Sequence, residues 1–421
     1  VSPEDVVAIT PVFLAYHSES GKPRLVHDLR AINVRLAPAP VMYERASDAL
    51  QFGARTATKI DLLSAFRHVA VSPDDARCLA FSLGSVLWRW NALPFGLSAS
   101  PVLFSRALAP VIRGMRDSGL WLVVYVDDVL VLASSVRGLD ESVTRALLDL
   151  AAAGWYVALD KVFVDPATRI PFLGVLVDLD DRCLRVSVKK ARKLARLCEG
   201  ILARRTVSLP ALQAIGGLLA FLSLAAPECG LCRSGINSAT AEAQRLPGCT
   251  VGVKGLLRED LRFWAAEAPS LPQFRPLAST SAGATVLVTD ASGPPYLGYG
   301  AIAWPGRAEA PDIDSLLGCR TRFRNELSCI RGGCRVLYGP LADSGSSAAL
   351  ELQACAKALR RLHRQDPGAV QDKQILWYCD AQAATAVVAR WRAHAPGVVL
   401  WARALMSFCR AFGCAIRPHW V

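Results

Sequence analysis

The chain has 421 residues, room for two or three domains, and 52% of them are hydrophobic against 20% charged. That balance excludes a disordered chain and fits core-forming domains. The formal net charge of +12 favours a polyanionic partner, nucleic acid before membrane surface.

No apolar run is long enough to span a bilayer, and no signal peptide is read. Thirteen cysteines without a repeating spacing point to reduced thiols rather than a disulfide framework. The expectation is an intracellular protein, cytoplasmic or nuclear and not secreted, with no membrane partner. Its first residue, Val1, and its last segment, "RPHWV", read as cut ends of a longer polyprotein.

Residues 1 to about 180 mix short strand-like runs with helices. "SGKPRLVHDLRAIN" carries Lys22, Arg24 and Arg30, cations suited to a triphosphate. "TKIDLLSAFRHVAV" places Asp61 at the end of a short strand, where a lone Asp is most often a helix cap. "LPFGLSASP" is a turn in which Gly96 lets backbone come close to a ligand. "ASPVLFSRALAPVIRGMRDSG" reads as a helix. "LWLVVYVDDVLVLASS" then sets Asp127 and Asp128 between two strand-like runs. These two acids are the tip of a two-residue hairpin turn or part of a metal site. With Asp61 they make three carboxylates, the set that two-metal phosphoryl transfer wants.

Residues 185 to 270 read as mainly helical. "VKKARKLARLCEGILARR" puts Leu194, Leu197, Ile201 and Leu202 on one helical face and crowds Lys189, Lys190, Arg192, Lys193 and Arg196 on the other. That basic face is a solvated surface or a track for a phosphate backbone. Cys229 and Cys232 form a Cys-x-x-Cys pair with no second pair at zinc-like spacing, which disfavours a metal. "APSLPQFRPLASTSAGA" is rich in Pro, Ser and Gly and marks a domain boundary. Beyond it, "TVLVTDASG" ends a strand on Asp290. "SSAALELQACAKALRRLHRQ" is a helix carrying Glu351 near its start, and "QILWYCDAQAATAVVARW" is a strand ending on Asp380 before a helix. Taken singly, these acids are a turn residue, a first-turn charge and an N-cap.

The order "KPRLVHDLRAIN", "KIDLLSAFRHV", "LPFGLSASPVLFSRAL", "VVYVDDVLVLAS", "GWYVALDKVFVDPATRIPFLGVLVD" resembles, motif by motif, the reverse transcriptase of retroelements. Residues from about 10 to 180 are covered. The wording is nearest to DIRS-like elements, with gypsy-like elements next. The resemblance implies an α+β right-hand polymerase, with fingers and palm over 1–183 and a helical thumb or connection over 184–270. It implies RNA-directed DNA synthesis from dNTPs on an RNA template with a DNA primer. It also implies two Mg²⁺ ions per active site, with Mn²⁺ as a substitute. Asp61 and Asp127 would be the main metal ligands, Asp128 the third carboxylate, and the backbone carbonyl of Leu62 would also face a metal. Arg24 and Lys22 would contact the triphosphate. Phe66 would gate the sugar against a 2′-hydroxyl, and Phe95 and Gly96 would line the nucleotide and template. Phe172, Leu173 and Gly174 would form the primer grip, and the basic helix would contact the duplex.

The second half resembles the RNase H domain that follows the polymerase in such elements, an α/β domain over 283–421. Asp290, Glu351 and Asp380 match its metal-binding acids, which cut the RNA strand of an RNA–DNA hybrid. The family's last catalytic acid lies beyond "IRPHWV", so the domain reads as truncated at its C-terminus and its cleavage activity stays open. The competing reading is a binding relic that keeps the fold without the chemistry.

Overall fold

The computed structural model describes residues 1–16, 23–37, 41–158, 166–273, 283–306, 334–341, 346–393 and 395–421. Two compact units result: Val1–Leu173 with Val177–Asp180, and Gly174–Leu176 with Asp181–Val421. The expected boundary segment at 268–284 lies largely outside the described residues.

The first unit is built on a three-stranded antiparallel sheet of β3 (Thr56–Asp61), β6 (Trp121–Tyr125) and β7 (Asp128–Ala133), in the order β3-β7-β6. β7 is central, and Val129, Leu130, Val131 and Leu132 are all buried. A strand covered on both faces reads as a continuous apolar run rather than an alternation. The helix Ser100–Asp117 turns Phe104, Leu108, Ile112 and Met115 into this core, the 3.6-residue spacing that the sequence shows. The helix Val136–Ala152 adds Leu139, Ala146 and Leu150. Its start is fixed by Ser135, whose Oγ accepts the Gly138 N–H at 3.1 Å. Each fully buried Leu or Ile here stabilises the fold by roughly 1.5–3 kcal/mol. Two hairpins complete the unit: β1 (Val12–Tyr16) with β2 (Pro23–His27), and β4 (Ala80–Leu83) with β5 (Val86–Arg89). A third, β8 (Arg169–Phe172) and β9 (Val175–Asp178), carries the division between the units in its turn.

The second unit opens with β10 (Cys183–Arg185) and the helix Val188–Leu202, which matches its expected position. Three more helices follow: Leu209–Leu222, Ser234–Arg245 and Gly255–Glu267. A short ribbon pairs β11 (Thr206–Ser208) with β12 (Thr250–Gly252). Gly235 is required where two of these helices meet, because a Cβ there would stand 2.4 Å from the Leu256 carbonyl carbon.

The same unit contains a five-stranded sheet of β13 (Ala284–Ser292), β14 (Gly298–Pro305), β15 (Arg335–Pro340), β16 (Gln374–Cys379) and β17 (Ala415–Trp420). Their order is β15-β14-β13-β16-β17. β13, β14 and β15 run antiparallel, whereas β16 lies parallel to both β13 and β17. Parallel neighbours need crossover connections. The helix Ser347–Gln365 lies between β15 and β16, and Gln382–Arg390 and Pro396–Phe412 lie between β16 and β17. The fold is thus the expected α+β polymerase type followed by a second α/β domain.

Candidate active site

Side chains on a strand alternate, so Lys59 and Asp61 share one face of β3. The register sets Asp61 directly opposite Asp128 on β7. Between them stands the Lys59 ammonium, with Nζ 3.0 Å from Asp61 Oδ1 and 2.6 Å from Asp128 Oδ1. Burial alone would lower the Lys59 pKa, but its bonds to Asp128 and Asp61 outweigh that and the net shift is upward. Burial raises the Asp128 carboxyl, the Lys59 contact opposes this, and the neighbouring Asp61 and Asp127 add to the rise.

The sequence expectation put Asp127 and Asp128 together at the hairpin tip. The structure moves the turn by one residue: Val126 and Asp127 are central, and Tyr125 pairs with Asp128. The β3–β7 ladder runs on to Asp128 opposite Asp61, which leaves Asp127 exposed on the turn. A two-residue hairpin loop demands positive φ, and here Val126 supplies it at +54°. That is unusual for a β-branched residue and marks local strain beside the acidic cluster. The turn is tied to β3 by the Leu62 N–H, which donates to the Asp127 carbonyl at 3.2 Å. The Asp61 carbonyl in turn accepts from the Ala158 N–H at 2.9 Å.

Asp61, Asp127 and Asp128 thus gather at one end of the sheet. They offer hard oxygen donors, and the Lys59 ammonium already bridges two of them, Asp61 and Asp128. That chemistry fits a divalent metal such as Mg²⁺. Lys59 escaped the sequence reading; its only signal was the i, i+2 spacing from Asp61.

Around this centre, Phe66 is wedged against Phe95 and Phe104, with ring centroids 5.2 and 5.7 Å apart. Phe95 is half exposed. Gly96 has φ +99°, and a Cβ there would fall 2.4 Å from the His27 carbonyl oxygen. Asn33 clamps this loop: its Nδ2 donates to the Gly96 carbonyl and its Oδ1 accepts the Ser98 N–H, each at 2.8 Å. Arg24 lies on β2 opposite Ala15, and Lys22 lies outside the described residues.

At the expected primer grip, Phe172 is buried, and Leu173 and Gly174 turn the hairpin with φ of +48° and +79°. A Cβ on Gly174 would stand 3.0 Å from Phe221 Cζ. On the basic helix, Lys189, Arg192, Lys193 and Arg196 are exposed. Lys190 instead lies with its ammonium 4.8 Å from the centroid of the Phe221 ring.

A second acidic cluster forms in the second unit. Ligand atoms of Glu351, Cys379 and Asp380 all lie within 4.8 Å of one another. Glu351 is buried near the start of its helix. Its Oε1 accepts the Ala291 N–H at 3.0 Å, and its Oε2 accepts the Cys379 thiol at 3.5 Å. Burial pushes its carboxyl up to about 7, the Ala291 hydrogen bond works against this, and the charges of Asp380 and Asp290 add to the rise. Asp290, exposed on β13, stands outside the three-residue cluster but within electrostatic reach. Cys379 was not anticipated from the sequence.

Residues 17–177 match the family model for reverse transcriptase (RNA-dependent DNA polymerase). The Gag-Pol polyprotein of Rous sarcoma virus is 32% identical over 176 residues, covering 39% of this chain. A retrovirus-related Pol polyprotein from the transposon opus of Drosophila melanogaster is 28% identical over 177 residues, 41% of this chain. The chain spans only 11% and 17% of these two polyproteins. Foamy viral protease–reverse transcriptase, solved with double-stranded DNA, is similar in fold, with a TM-score of 0.55 at 16% identity over 99% of this chain and 66% of that one. The same viral protein solved with an RNA/DNA hybrid gives 0.53 at 16% identity, over 99% and 50%. The carboxylates at the end of the β3-β7-β6 sheet therefore lie within the segment that matches the reverse transcriptase model, a segment similar to parts of retroviral and transposon Pol polyproteins.

Proposed function

We propose that this chain is the RNA-directed DNA polymerase part of a retrotransposon polyprotein, adding dNTPs to the 3′-hydroxyl of a DNA primer on an RNA template. The single observation that carries this reading is the register pair Asp61 and Asp128 with Asp127 on the adjoining turn. Asp61 and Asp127 would hold the metals, with Asp128 as third carboxylate and the Leu62 carbonyl beside them. Two bound Mg²⁺ ions, or Mn²⁺ in their place, would lower the pKa of the attacking hydroxyl and stabilise the leaving pyrophosphate.

The remaining roles fall to the chain's own residues. Arg24 and Lys22 bind the triphosphate. Phe66, held by Phe95 and Phe104, excludes a 2′-hydroxyl. Phe95 and Gly96 line the nucleotide and template, Phe172, Leu173 and Gly174 grip the primer, and the basic face at Lys189, Lys190, Arg192, Lys193 and Arg196 follows the duplex phosphates. The foamy viral relative in fold was solved with both double-stranded DNA and an RNA/DNA hybrid, which supports such a partner. The motif wording supports a DIRS-like element, gypsy-like next, acting inside the cell. Asp290, Glu351 and Asp380 support a second, RNase H-like activity on the RNA strand of the hybrid, in which two metal ions would activate water.

The test is primer extension on an RNA template with a DNA primer, first in Mg²⁺ and then in Mn²⁺. The parent chain extends the primer, and the Asp127→Asn/Asp128→Asn variant falls by about a hundredfold or more. A parent that binds hybrid with steep salt dependence yet extends nothing in either metal overturns the polymerase reading in favour of a binding fold.

A further inference from the structure

We propose that Lys59 is the internal counter-cation of the polymerase carboxylates, and that a divalent ion must displace it from Asp61 to occupy the site. The inference rests on the metal-binding reading of Asp61 and Asp127 given above.

The geometry is specific. Lys59 and Asp61 stand two residues apart on one face of β3, and the sheet register brings Asp128 opposite Asp61. The ammonium reaches both carboxylates, and the three side chains are only 28%, 22% and 29% exposed. Partial desolvation makes each charge dependent on the other two. Without Lys59, Asp61 and Asp128 would face each other as like charges on adjoining strands, an arrangement that destabilises a sheet. With it, the two carboxylates are held together.

A metal changes the balance. The Asp61 oxygen that Lys59 holds, Oδ1, is on the carboxylate assigned to the metal. An ammonium and a divalent cation that share one carboxylate would repel each other, so one gives way. The longer contact is the one to Asp61, 3.0 Å against 2.6 Å to Asp128. Lys59 therefore retreats onto Asp128, leaving Asp61 and the exposed Asp127 to the ion. This divides the labour among three otherwise similar acids. It also sets a threshold: a cation arriving alone works against Lys59, whereas one accompanied by a triphosphate brings negative charge that offsets the ammonium. Lys59 is on this reading a positioning residue that restrains metal binding until nucleotide is present.

The test is Mn²⁺ binding to the full chain without nucleic acid, read by electron paramagnetic resonance. An Asp290→Asn/Asp380→Asn background confines the signal to the first site. Removing the charge with Lys59→Met should tighten Mn²⁺ binding roughly tenfold, and Lys59→Arg should stay within about twofold of the parent. Lys59→Gln serves as a second neutral variant should the methionine variant fail to fold. A merely structural lysine would give the opposite sign, because its loss would loosen the site and weaken binding. Unchanged or weaker Mn²⁺ binding in folded neutral variants overturns the proposal. Asp61→Asn separates the two ideas: Mn²⁺ binding that survives this change is not at Asp61, and the metal reading itself then fails together with the role of Lys59.

Discussion

His27 shows how one side chain can carry a pH signature for the first unit. It is 2% exposed on β2, with its Nε2 2.5 Å from Thr10 Oγ1 and its ring 5.5 Å from Phe81 at the centroids. Burial lowers its pKa below 6.5, and the hydrogen bonds to Thr10 and Ala80 only partly offset this. The unfolded chain therefore binds a proton more readily than the folded one. By linkage, the folded state loses stability as pH falls below about 6.5 toward the lower folded pKa, and above 6.5 the effect is absent. Urea unfolding of the first unit, followed from pH 7.5 to 5, should show this loss in the parent and a flatter profile in His27→Gln. Parallel profiles would remove His27 as the cause. Residues differ sharply in how much of this the sequence reveals. Asp61, Asp127 and Asp128 were legible because acids inside apolar runs are costly and need a reason. Lys59 was not, because a lysine in an alternating strand reads as an ordinary solvent-facing residue until the register of β7 is known.

At the scale of elements, the loop from Leu93 to Pro101 is held to β2 and to the Arg30–Asn33 turn. Ser100 is buried and donates through Oγ to the Pro94 carbonyl at 2.8 Å. Asn33 makes its two bonds to Gly96 and Ser98. Gly96→Ala meets two obstacles at once, the +99° φ and a Cβ at 2.4 Å from the His27 carbonyl oxygen. Neither can relax without moving backbone, so the expected cost is about 2–4 kcal/mol. Thermal unfolding of Gly96→Ala beside Gly114→Ala measures it, since Gly114 has nothing within 4 Å of its would-be Cβ and no positive φ. Equal melting temperatures would show that the loop is not clamped as described. The sequence marked this turn through Gly96 and its serines, read as a helix over "ASPVLFSRALAPVIRGMRDSG", and placed a basic helix over 188–205 from its apolar spacing. It misplaced the hairpin tip by one residue. Asp is a favoured turn former and Val is not, so local propensity pointed to Asp127–Asp128. The long-range pairing of Asp61 with Asp128 overrode it.

At the scale of the whole molecule, a buried acid helps to join the helices of the second unit to its five-stranded sheet layer. Asp260, on the helix Gly255–Glu267, is 1% exposed. Its Oδ2 accepts the Gly235 and Ile236 N–H groups at 2.8 and 3.3 Å, at the start of the next helix back. Its Oδ1 meets Arg403 Nη2 at 3.0 Å, from the helix Pro396–Phe412 packed beside the sheet. Arg403 also lies 5.0 Å over the Phe263 ring and donates through Nε to Cys232 Sγ at 2.7 Å. Arg410 adds an ion pair to Glu267. Cys232 is thus a buried acceptor in this joint. Nothing in the sequence announced it, because the partners lie 143 positions apart. A joint of this kind makes the helices and the sheet layer melt together. Asp260→Ala leaves a guanidinium and two helix N–H groups without their acceptor. Breaking a buried pair from one side costs roughly 3–5 kcal/mol. Asp260→Asn keeps an oxygen for the N–H groups and should cost less. Differential scanning calorimetry of the parent should show a single transition for this unit, and Asp260→Ala should split it into an earlier helical melt and a later melt of the sheet. A lowered but undivided transition would mean that the apolar contacts alone couple the two layers. An unchanged transition would mean that the pair contributes nothing to the joint.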